Sequence, residues 1–231
     1  MQFPFQVIRS ARRQTLAIQV KQGEVIVRAP VYISDDYINQ LVERKHKWIQ
    51  SKLVCQQQKL DDRFSYQQDD SLYWLGQKHR FSVELGSKNT VQVSDKGIIV
   101  VLKPIANESQ TNQTVRIKRV LLKWLTTNAK RVLVQRVAEL SALTGLAYND
   151  VNVRQYKARW GSCNSQKRIS LNVFLMMAPP WVVDYVIIHE LCHTRHMNHS
   201  KAYWQLVQHH FPLYRSAKAW LNHRGQHCTL P

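Results

Sequence analysis

The chain has 231 residues, 44% of them hydrophobic, enough to bury a full core, and no run approaches the roughly 20 apolar residues of a membrane span. Its formal charge of +18 is lopsided, with 16 basic against 11 acidic side chains in residues 1–110 and 17 against 4 in residues 111–231, a field that attracts anions. Cys55, Cys163, Cys192 and Cys228 form no CxxC pair, which argues against a disulfide framework or a zinc ribbon, and Met1-Gln2-Phe3-Pro4-Phe5 lacks the features of a secretory signal, so a soluble cytoplasmic protein is expected.

The first third alternates as strands do. Leu16, Ile18 and Val20 share one face, and Val25, Val27 and Ala29 answer them across a turn at Gln22-Gly23, which predicts a hairpin. Ser34 before Asp35-Asp36 is a helix start with acid at its positive end. One helix to about Leu60 is predicted from the spacing of Tyr37, Ile38, Leu41, Trp48, Ile49 and Leu53. Strand patterns return at 72–75, 80–85, 90–93 and 98–102, divided by turns at Gly76, Gly86 and Lys96-Gly97. Residues 1–110 are therefore predicted to be a mostly antiparallel, β-rich subdomain with one helix.

The polar stretch 107–113 separates the two charge regimes and marks the expected boundary, with residues 111–231 forming the second domain. A long helix from about 114 to 143, closed by Gly145, sets Arg116, Arg119, Lys123 and Lys130 on one face. An ordinary solvated face and a nucleic-acid contact stripe are both open for it. Strands are predicted at 151–156, 158–163 and 168–173, the last two joined at Asn164-Ser165. Pro179-Pro180 suits the first position of a helix that runs through Val182, Val183, Val186 and Ile187.

That helix carries His189-Glu190-Leu191-Cys192-His193, an HExxH motif. Residues four apart lie on one helix face about 6 Å apart along the axis, so both imidazoles can reach one zinc ion. Glu190 projects about 100° away, beside a metal-held water rather than on the metal, the position of a general base. A third ligand is needed. His196 on a continuous helix would lie about 10.5 Å along the axis from His189, too far to close a tetrahedron. Asn198 tolerates the left-handed conformation that ends helices and would let His199 fold back, so His199 is the expected ligand and His196 the alternative. Three histidines leave a fourth position for water, whose pKa zinc lowers toward about 7.

Arg159-Trp160-Gly161-Ser162-Cys163, Ile169-Ser170-Leu171-Asn172, Ala178-Pro179-Pro180, the HExxH segment and Asn198-His199-Ser200 occur in that order. In this the chain resembles the YgjP-like metallopeptidase family, which is similar to the SprT-like zincin proteases. The resemblance is dense over 150–223 and looser toward Ala11-Arg12-Arg13 and Val27-Arg28-Ala29-Pro30. It implies an α+β protein whose zincin-type helix packs under a small sheet, with His189, His193 and His199 as zinc ligands and Glu190 as catalytic acid/base. The spacing from His189 to His199 equals that of metzincins, yet His196 stands where they carry glycine and no methionine follows Met197 to make their turn.

The expected function is hydrolysis of a peptide bond by one zinc ion, in a protein or peptide substrate. Two other readings stand beside it: a zinc hydrolase of nucleotide phosphoanhydrides, and a nucleic-acid-binding module around a structural zinc, for which Cys163 or His196 would be the fourth ligand. The strand holding Trp160 to Cys163 is a candidate for pairing with an extended peptide. Arg159 and Tyr156 are candidate oxyanion contacts, with structural packing the ordinary alternative. Cys192 is read as core. Tyr203, Trp204, Leu206 and Val207, after a helix start at Ser200, are read as an amphipathic helix bracing the His199 loop.

Overall fold

The computed structural model describes residues 3–21, 23–61 and 64–231, with the backbone alone for 55–61, so Met1, Gln2, Gln22 and the Cys55 side chain lie outside the described residues. Within these, six helices and three small sheets make a mixed α+β protein. No described helix is long and apolar enough to cross a membrane. The chain divides into two compact units, residues 1–63 and 64–231.

In the first unit, β1 (Phe5–Ser10), β2 (Ala17–Lys21) and β3 (Glu24–Pro30) form a sheet ordered β1-β3-β2. The hairpin is as expected, with Ile18 opposite Val27 and Val20 opposite Val25. Val25, Val27 and Ala29 turn inward onto Ile38, Val42 and Ile49 of α1 (Asp35–Arg44) and α2 (His46–Asp61). Ser34 caps α1 by accepting from the Tyr37 N–H. β1 carries no alternation to announce it, because Val7 and Ile8 are 37% and 40% exposed, and it pairs with β3 in parallel. The single helix expected here is two, split at Lys45: the run Glu43-Arg44-Lys45-His46-Lys47 has no apolar side chain to bury, so a break there loses no core contact.

The second unit opens with β4 (Ser71–Trp74), β5 (Gln77–Leu85), β6 (Thr90–Ser94) and β7 (Gly97–Leu102), ordered β4-β5-β7-β6, with β5 and β7 parallel. The mostly antiparallel layer expected for 1–110 is therefore two sheets, each with one parallel pair. The division expected at 110 also falls elsewhere. Leu72, Phe81, Ile98, Val100 and Leu102 share one core with Ile117, Leu121 and Leu125 of α3 (Gln110–Thr144), so the charge change near 110 is a surface property and not the edge of a core.

The 35 residues of α3 begin at the Ser109 cap and stop at Gly145, whose φ of 67° is the left-handed end that glycine adopts without a Cβ penalty. Its buried residues, from Leu121 through Leu125, Ala129, Leu133 and Val137, recur every four, a single stripe laid on the core. A third sheet follows, ordered β8-β10-β9, from β8 (Asp150–Arg154), β9 (Gly161–Cys163) and β10 (Arg168–Asn172). Then come α4 (Pro180–Cys192), α5 (Lys201–His210) and α6 (Tyr214–Arg224). The strand expected over 158–163 is shorter, leaving Trp160 outside it: the Asn172 side chain bonds the backbone of Tyr156 and Arg159 and holds that stretch as a loop.

Candidate metal centre

α4 is apolar nearly all round and buried over most of its length, with only its first residues, Pro180 and Trp181, exposed. Its one early acid, Asp184, is gripped at both oxygens by Arg136 of α3, Nε at 2.7 Å and Nη2 at 2.9 Å, while Nη1 reaches Glu139 at 2.7 Å. Those hydrogen bonds raise the Arg136 pKa and lock the two helices in register.

The helix ends at Cys192, and His193 is its cap residue at φ −66° and ψ −18°. Thr194 N–H then donates to the Leu191 carbonyl, and Arg195 and His196 N–H both donate to that of Cys192. The chain thus leaves the helix axis directly after the second histidine. Asn198 does not take the left-handed conformation expected of it, since the cap at His193 has already turned the chain.

His189, His193 and His199 come together, with one ligand nitrogen from each lying within 4.8 Å of the others. Nε2 of His189 and Nε2 of His199 are 3.4 Å apart. A tetrahedral zinc with bonds of about 2.0–2.1 Å has edges of about 3.3 Å, so the two nitrogens are spaced to share one ion. The other ring nitrogens are held in place. His193 Nδ1–H donates to the His196 carbonyl at 3.0 Å. His189 Nδ1 lies 2.6 Å from the Tyr203 hydroxyl, which in turn donates to the His189 carbonyl, so Nδ1 carries the proton. Both Nε2 lone pairs are left for a metal.

Burial, followed by the charges of His193, His199 and Lys218, pushes the His189 pKa down to about 3. Burial lowers that of His193 as well, against the pull of the His196 carbonyl. Neutral imidazoles at pH 7 are what a metal site needs. Of the alternatives, the His196 ring and the Cys163 thiol stand outside the group; His196 contributes only its carbonyl.

Glu190 is 4% exposed, and burial raises its carboxyl to about 8 against the opposing charge of Arg159. Its neighbour is Gly161 of β9, where a Cβ would come within 2.6 Å of Glu190 Oε1 and 2.8 Å of its Cγ. Only glycine lets the strand and the carboxylate lie this close. Gly161→Ala should therefore shift the carboxylate by about an ångström, a displacement that costs roughly 10²-fold in rate when the group is catalytic. The expected result is that loss in kcat with metal content unchanged, checked by steady-state kinetics beside elemental analysis.

Cys163 is half-buried near Glu190, its thiol raised to about 11 by burial and by that carboxylate. Cys192 is core, as expected. Tyr156, though partly desolvated, has a lowered pKa because Ser170 and Ser162 bond its hydroxyl and Arg154 and Arg159 lie near. The Arg159 guanidinium sits 5.6 Å from the Tyr156 ring centroid. Trp160 packs on Gly225, where a Cβ would meet its ring at 2.8 Å. On α3, Arg119, Lys123 and Lys130 are exposed, whereas Arg116 is half-buried and paired with Glu108 at 2.9 Å.

Two positioning residues escaped sequence reasoning. Buried Asn172 holds the loop before β9 through four hydrogen bonds, to Tyr156 N–H and carbonyl, the Arg159 carbonyl and Phe174 N–H. Its signal was a carboxamide at the end of an apolar strand. The Tyr203 hydroxyl on His189 had no signal, because the contact depends on how α5 packs against α4.

No curated protein matches the chain. Among solved structures it is similar to the metallopeptidase zymogen of Pyrococcus abyssi abylysin, at 18% identity and a TM-score of 0.37 over 41% of this chain and 96% of that one. The family model for the YgjP-like metallopeptidase domain matches residues 14–224, nearly the whole length, and the chain belongs to that family.

Proposed function

We propose that the protein is a zinc metallopeptidase in which His189, His193 and His199 hold the ion and Glu190 is the catalytic acid/base. The observation that carries this is the convergence of three imidazole nitrogens within 4.8 Å, beside the buried carboxyl of Glu190. Zinc, when bound, supplies Lewis acidity toward water and the scissile carbonyl. Glu190 takes the proton as water adds to the carbonyl carbon and delivers it to the amine as the C–N bond breaks. Burial raises the carboxyl, and a dication held by the neighbouring histidines would favour its ionised form, the one that accepts the proton.

β9 lies at one edge of its sheet, and an extended peptide adding there would bring its backbone past Gly161 and Glu190. Arg159, whose charge is felt at Glu190, is the better placed of the two oxyanion candidates. The Tyr156 hydroxyl is bonded to Ser162 and Ser170 and serves to position the Arg159 stack. The structural-zinc reading needs a fourth ligand, and among the described residues the group holds three. No observation favours the nucleotide substrate, or a nucleic-acid role for the α3 face over ordinary solvation.

Incubating the purified protein with a mixture of unstructured peptides tests the proposal. Cleavage products should appear by mass spectrometry, vanish with a chelator and return with one equivalent of zinc. Cleavage that persists after complete metal removal would refute it.

A further inference from the structure

The wall of the metal centre continues outward as an aromatic stack. The Trp204 ring lies nearly parallel to His199, centroids 5.5 Å apart, and Tyr214 lies nearly parallel to Trp204 at 5.4 Å. Above these rings opens a cleft of about 390 Å³ lined by Trp204, Tyr214, Arg215, Lys218, Ala219 and Asn222. Lys218 Nζ stands 5.0 Å from the Trp204 ring centroid, and the Arg215 guanidinium 5.7 Å from that of Tyr214. Arg215 Nε donates to the Tyr214 hydroxyl, which leaves its two terminal nitrogens for another partner.

Residues 200–231 contain no aspartate or glutamate, and among the described residues neither Lys218 nor Arg215 has an ion pair. Two cations beside a site proposed for a divalent metal repel that metal, and an anion between them removes the repulsion. Aromatic faces beneath the cations orient them and take the apolar part of a bound side chain.

Building on the peptide-hydrolase reading above, we propose that this cleft is a specificity subsite that binds a carboxylate of the substrate peptide, on Lys218 and Arg215. The cleft has room for one acidic side chain or a chain end. Either source offers the same chemistry, a carboxylate on a short apolar stem, and experiment separates them.

The test measures binding apart from turnover. Glu190→Gln protein loaded with zinc is titrated into fluorescently labelled peptides and followed by polarisation. Three peptides share one sequence: one with an internal glutamate and amidated end, one with alanine there and amidated, and one with alanine and a free C-terminal carboxylate. At least one carboxylate peptide should bind about tenfold more tightly than the neutral one, the scale of one charge-assisted contact. Which of the two does so names the source.

Adding Lys218→Met should abolish that difference, Lys218→Glu should invert it and Lys218→Arg should keep it. Both cations are exposed, so these changes leave the core intact. Equal affinity for all three peptides, no binding of any, or a preference indifferent to Lys218→Glu overturns the proposal. Cleavage by the unmodified protein without carboxylate preference overturns it too, while leaving the hydrolase reading standing. Carboxylate preference without cleavage supports the subsite and removes the hydrolase reading.

Discussion

Alanine at His189 or at His193 should reduce bound zinc from about one ion per chain to a trace, measured by elemental analysis after gel filtration. Each substitution removes a nitrogen from a set of three, and two imidazoles do not complete a stable tetrahedral site. The contrast with Tyr203→Phe is the sharper test. That change keeps all three histidines and removes only the hydroxyl that pins His189 Nδ1 at 2.6 Å. Loss of such an outer partner costs roughly 10–100-fold in metal affinity, so the variant should purify with zinc yet surrender it to a competing chelator far sooner. The fold should persist throughout, because the core around α3 and α4 is built from apolar side chains. Stoichiometric zinc in both histidine variants would place the ion elsewhere.

The parts of this centre legible in the sequence are those set by local geometry. His189 and His193 share a face because they are four residues apart on a helix, and a proline start followed by an apolar run is enough to establish that helix. His199 follows from the limited reach of a straight helix, although the device that turns the chain is the cap at His193 and not Asn198. What depends on packing was hidden. The 2.6 Å approach expected between a Gly161 Cβ and Glu190 becomes visible only when β9 lies against α4. α6 carries Lys218 and escaped notice because its sequence, Tyr214 to Arg224, is polar with a single buried residue, Ala217. The parallel pairings of β1 with β3 and β5 with β7 were equally out of reach, since alternation reports a face and not a strand direction.

Glu190→Gln should separate the metal from the chemistry. Glutamine matches the glutamate in shape, so the contacts with β9 persist, and burying a neutral amide costs less than burying a carboxylate. The variant should therefore fold and hold zinc as the unmodified protein does. It lacks a group that can take a proton from water and hand it to the departing amine, and loss of that transfer costs typically 10²–10⁴-fold. The fall should appear in kcat with KM little changed, because in the proposed mechanism Glu190 meets the reacting atoms and not the cleft around Trp204 and Tyr214. Glu190→Asp provides the intermediate case. It restores a carboxyl but draws it back by one methylene, away from where Gly161 holds it, and should recover only part of the rate. If the glutamine variant loses zinc, Glu190 is a ligand rather than a base. If it hydrolyses peptide at the full rate, the proton travels by another group and the assignment of Glu190 fails, whatever the histidines hold.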